Sequence, residues 1–186
     1  SHFATTNEKY DVISFGLLDS HTTTSLTNAR LDHYVYTRES IAQASSRLKD
    51  GGIMVLTFEA QKPFITDRIY STLQEVFNQP PLVFKIPVSH YGGGGVMFVT
   101  GDMQTIQNQL ATNDHLDDYV KNLQTAQPIE VMGKTKIITD DWPYLYLDTP
   151  RIPYLYYLLI GLMAIIFVRS YRKWNANINI SIRNRT

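Results

Sequence analysis

Residues 34–58 read YVYTRESIAQASSRLKDGGIMVLTF, a helix pattern running into a strand pattern. Tyr36, Ile41, Ala44 and Leu48 recur at helical spacing within Tyr34–Lys49. Asp50-Gly51-Gly52 is expected to stop that helix, because glycine takes the left-handed C-cap conformation without steric cost. Ile53–Phe58 then reads as a buried strand. Upstream, Tyr10–Leu18 (YDVISFGLL) is another mostly apolar run, ending at Asp19-Ser20. Apolar on both faces, it suits a central parallel strand. Residues 20–33 between the two are polar and threonine-rich and read as a loop entering a short helix.

Downstream the alternation continues. Pro63 opens a helix whose buried stripe is Ile65, Ile69, Leu73, Val76 and Phe77. Leu82–Val88 and Val96–Thr100 are strand-like and flank SHYGGGG, where Gly92–Gly95 permit a hairpin tip. A phosphate cradle there would lack the helix N-terminus that such loops use. Asp102–Leu110 and Asn113–Leu123 read as helices with Asp102 and Asn113 as N-caps. Residues 128–147 form an extended stretch ending in TDDWPYLYL. The element order predicts an α/β fold, the second half of an open, doubly wound sheet with antiparallel edge strands. No G-x-G-x-x-G occurs, so the nucleotide-binding first half of such a sheet is not expected in this chain. The outer edge of the strand at 10–18 would then need cover, from an upstream segment, a partner subunit or a rearranged piece of this chain.

Ile152–Val168, IPYLYYLLIGLMAIIFV, contains no charged side chain, and Arg169, Arg172 and Lys173 follow at once. These 17 residues would rise about 25 Å as a helix. Tyr154, Tyr156 and Tyr157 at one end and the basic cluster at the other suit the two membrane interfaces, and Pro153 suits a first helical turn. The expected organisation is a partial domain at 1–150, a transmembrane helix at 151–170 and a basic cytoplasmic tail at 171–186. The last 18 residues hold five of the chain's 17 basic residues and none of its 17 acids, which suggests contact with anionic lipid. The remaining residues carry the balancing negative charge, so composition argues against nucleic-acid binding. The absence of cysteine excludes disulfides, thiolate metal sites and cysteine catalysis. The start at Ser1 rather than Met is expected to reflect processing, tagging or excision from a longer chain.

Three segments carry a family resemblance. YDVISFGLLDS at 10–20 resembles the fourth strand of polyamine (spermidine) synthases, and residues 34–58 resemble the helix and fifth strand that follow. TDDWPYLY at 139–146 resembles a segment near the family's C-terminus. The chain is most similar to membrane-fused spermidine-synthase-like proteins, in which an S-adenosylmethionine-type (methyltransferase-like) Rossmann domain is joined to transmembrane helices. The resemblance implies the C-terminal half of that domain over roughly residues 8–147. It also shows a departure. The first acid of the family's D-x-x-D pair falls on Gly16 and the second on Asp19. A glycine cannot take a proton from the attacking amine, so the resemblance implies a damaged aminopropyl-transfer site.

The sequence-predicted site has two parts. Asp19, His21, Arg30, His33, Arg38 and Glu39 follow the first strand, where open α/β sheets bind ligands. Asp19 and His21 are the catalytic candidates, with Arg38 and Glu39 for charged ligand groups; loop capping and surface ion pairs are the plainer reading. Asp140 and Asp141 are candidates for a cation or polyamine. Trp142, Tyr144 and Tyr146, with Tyr154, Tyr156, Tyr157, Arg169, Arg172 and Lys173, are candidates for the membrane interface. No histidine pair has ligand spacing, so no metal is expected, and no serine sits in G-x-S-x-G.

The basic tail places the C-terminus in the cytoplasm and the domain outside it. The expected function is a membrane-anchored, non-catalytic accessory or scaffold subunit, with the bilayer and other membrane subunits as partners. The alternative is a fragment of an aminopropyl- or methyltransferase acting on a polyamine-like molecule. It would use S-adenosylmethionine or its decarboxylated form only if an upstream half exists.

Overall fold

The computed structural model describes residues 2–16, 31–60, 62–88, 94–149, 151–152 and 154–183. The chain divides into two compact units, Ser1–Asp148 and Thr149–Thr186. The first is a mixed α/β unit. Its elements are α1 (His2–Thr5), β1 (Tyr10–Phe15), a 3₁₀ segment (Leu31–Tyr36), α2 (Arg38–Ser45), β2 (Leu48–Phe58), α3 (Pro63–Phe77), β3 (Leu82–Ile86), β4 (Gly95–Gly101), α4 (Met103–Thr112) and α5 (Asp114–Ala126).

The sheet order is β1-β2-β4-β3. β1 and β2 run parallel, while β4 is antiparallel to both β2 and β3. The hairpin partner β4 thus inserts between β2 and β3, an arrangement that element order alone did not specify. Cross-strand partners share a face. Ile13, Met54 and Thr100 are one such row, and Phe15, Leu56 and Phe98 the next. This face is closed by Ile41 and Ala44 of α2, by Ile65, Ile69 and Leu73 of α3, and by Ile138 and Leu145 of the connector 128–148. On the other face α5 packs on β3, where Gln124 Nε2 donates to the Val83 carbonyl at 3.0 Å.

Two expectations change. The helix over 34–49 is in fact a 3₁₀ segment and a short α2 that ends at Ser45. Asp50-Gly51-Gly52 lies inside β2 rather than at a helix cap. Tyr10 faces Leu48 but Val12 faces Ile53, so 49–52 bulges out of the parallel pair. Gly51 does hold a positive φ of 76°, but for the bulge. Gly101, at φ 117°, backs onto it: a Cβ there would lie 2.5 Å from the Gly52 carbonyl oxygen. The second change concerns β1. It is the edge of the sheet, Val12 is 55% exposed, and among the described residues no strand pairs with its outer side. Leu17 and Leu18 of the expected strand lie outside the described residues.

The expected starts of three helices hold. α3 starts at Pro63 with Ile65, Ile69 and Leu73 of the expected stripe buried, while Val76 and Phe77 at its end are half-buried. Asp102 caps α4, accepting from Gln104 N and Thr105 N, and Asn113 caps α5, accepting from Leu116 N. The second unit is α6 (Tyr154–Arg183), a single 30-residue helix. Its Tyr154–Trp174 part, 21 residues with none of the apolar window buried, is long and apolar enough to cross a membrane. Continuing past Val168, that part rises about 32 Å against a hydrocarbon core of about 30 Å.

Candidate functional site

Thr37 caps α2 by accepting from Ser40 N, which sets Arg38 and Glu39 on the helix's first turn. Arg38 Nη2 donates to Glu39 Oε1 at 2.6 Å, and its Nη1 donates to Glu75 Oε1 of α3 at 3.2 Å. Glu39 Oε2 accepts from the Asp140 backbone N–H at 3.0 Å, and Arg38 N donates to the Ile138 carbonyl at 2.8 Å. The fold therefore brings Arg38, Glu39 and Asp140 together. Partial burial pushes the Glu39 carboxyl up. The hydrogen bonds from its own N–H, the Arg38 guanidinium and the Asp140 N–H outweigh that and hold it below the usual carboxylate range. A carboxylate so held is a weak base. The side chains of Asp140 and Asp141 face solvent. Asp19, His21 and Arg30 lie outside the described residues, and so does the side chain of His33.

The sequence reading passed over two buried charges on α3. Asp67 is 1% exposed and Arg68 is fully buried. Asp67 Oδ1 accepts from Met132 N and Gly133 N, both at 2.7 Å, and Oδ2 from Lys134 N at 3.2 Å and Thr135 N at 3.1 Å. The Thr135 hydroxyl also donates to Oδ2. Burial raises the Asp67 carboxyl, but the Thr135 hydroxyl and the N–H donors prevail and hold it below its ordinary value. Arg68 donates from Nε to Lys136 O at 2.8 Å and from Nη1 to Leu145 O at 2.6 Å and Tyr144 O at 3.0 Å. Its Nη2 donates to Asp148 O at 3.1 Å. Burial lowers its pKa to about 10, opposed by the charges of Asp148 and Asp67. The available signal was an Asp-Arg pair set between two stripe positions, Ile65 and Ile69.

Trp142 closes the clasp. Its ring lies 4.9 Å from the Arg68 guanidinium and 4.7 Å from the Lys136 ammonium, and it meets Tyr144 edge-on at 5.8 Å. A tight turn holds it, with Trp142 N donating to Thr139 O at 2.9 Å. Tyr146 packs against the core near Phe58. In α6, Tyr154 and Tyr157 are exposed, Tyr156 is half-buried, and Arg169, Arg172 and Lys173 are exposed. Among the described residues no group of three or more His, Asp or Glu is placed to hold a metal ion. Neither a scan of protein-family models nor a search of curated proteins finds a match to the chain.

Proposed function

We propose that the chain is a membrane-anchored, spermidine-synthase-like domain that serves as an accessory or scaffold subunit of a membrane complex. The observation that carries this reading is α6, whose Tyr154–Trp174 part has the length and composition of a membrane span with none of its apolar window buried. The parallel β1–β2 pair, joined through α2, with β4 inserted antiparallel, supports a doubly wound, Rossmann-like origin. The outer side of β1, which no strand among the described residues pairs, supports cover there by an upstream segment, a partner subunit or another piece of this chain. On this reading the basic residues after Val168 put the C-terminus in the cytoplasm and the domain on the other side.

Aminopropyl transfer is disfavoured on chemical grounds. Gly16 stands where the family's proton acceptor is expected, and Glu39 is engaged by Arg38 and Asp140. The reading is tested by extracting the chain from its native membrane in mild detergent. Elution in a stoichiometric assembly with other membrane subunits is expected. A monodisperse free monomer would contradict it.

A further inference from the structure

A cavity of about 340 Å³ opens beside the C-terminal end of β2, within the range of small-molecule pockets. Its wall includes Pro63 and Thr66 of α3, Lys85 of β3, Val96 of β4, and Ile129 and Glu130 of the connector. Lys85 and Val96 are direct cross-strand partners and so project to the same, core-facing side of the sheet. Lysine is out of place on a face otherwise lined by Met54, Leu56, Phe58 and Phe98. An inward lysine on an edge strand can also deter strand pairing. That role calls for neither the cavity nor the hydroxyl beside it.

Thr66 is 6% exposed and lines the cavity. The lysine ammonium and the threonine hydroxyl on one cavity wall are a combination suited to an acid group. Glu130 adds a carboxylate to the same wall. Among the described residues neither Lys85 nor Glu130 forms an ion pair, so both charges are available to a ligand.

We propose that this cavity binds a small zwitterion of the amino-acid class. Lys85 and Thr66 hold its acid group, Glu130 its ammonium, and Val96, Pro63 and Ile129 its apolar body. The site is independent of the Arg38–Glu39 network and of the membrane reading, and a non-catalytic subunit could use it to sense or retain a metabolite.

The test uses the full chain in detergent micelles. Each proteinogenic amino acid, inorganic phosphate, and the des-amino analogue of the best-binding amino acid are titrated separately by calorimetry. At least one amino acid is expected to saturate with a Kd at or below about 1 mM. Lys85→Met and Thr66→Val should each weaken it about tenfold or more, a loss of about 1.4 kcal/mol. Glu130→Gln, at an exposed position, should bring the amino acid down to the affinity of its des-amino analogue. Matching thermal unfolding of the variants controls for folding. The proposal is overturned if no amino acid saturates the folded protein, if phosphate alone binds, or if Glu130→Gln leaves the preference for the ammonium intact.

Discussion

Asp67 and Arg68 on α3, and Arg38 and Glu39 on α2, fasten the same connector, residues 128–148, to the helical layer. The first pair is buried and spends nearly every donor and acceptor on backbone groups across the sequence. The second pair is at the surface, with 44% of the Arg38 side chain exposed, and half of its bonding is internal to the pair. The residue chemistry is the same, but the solvent differs. In water the gain from an ion pair is offset by the hydration lost. Around Arg68 the Leu145 carbonyl is buried and three more are partly shielded, so their shared partner counts for more in holding the connector.

The comparison ranks substitutions. Arg68→Met should cost the most, about 3–5 kcal/mol, because it removes at once the shared donor of four backbone carbonyls, the buried one of Leu145 among them. Chemical unfolding monitored by Trp142 fluorescence would measure it. A loss under about 1 kcal/mol would erase the distinction between the two clusters. Asp67→Asn should cost about 2–3 kcal/mol, since one amide oxygen cannot replace a carboxylate accepting from four N–H groups.

Asp67 also has a pH signature. Its folded pKa is depressed, so its contribution is fully present above the unfolded value of about 3.9 and is lost as pH falls through the folded value. The wild-type chain should therefore lose stability on acidification below about pH 5, and Asp67→Asn should flatten that limb of the profile. Arg38→Gln should cost least, and that small cost should shrink further in high salt. An Arg38→Gln loss equal to that of Arg68→Met would break the comparison from the other side.

Local signals in the sequence located the elements that local physics dictates. Pro63 and the stripe at Ile65, Ile69 and Leu73 marked α3, and Asp102 and Asn113 marked two helix starts through the amides they cap. Glycine at 51 was rightly read as a positive-φ position. Its use as a strand bulge depends on Gly52 meeting Gly101, a contact between residues far apart in the chain. The Asp67–Arg68 clasp stayed hidden for the same reason. A charged pair beside an apolar stripe looks like a solvated helix flank until a remote connector covers it. Arg38, Glu39 and Asp140 were legible as separate charges. What joins them is the backbone N–H of Asp140 and the carbonyl of Ile138, which no side-chain pattern reports. The placement of β4 between β2 and β3 is likewise a tertiary choice, since hairpin strands signal only their own pairing.

Alkaline carbonate extraction of membranes containing the full-length chain bears most directly on the anchored-domain account. The account requires the chain to stay in the membrane pellet with integral proteins, through the apolar stretch from Tyr154 to Val168. Release of the intact chain into the supernatant would contradict it.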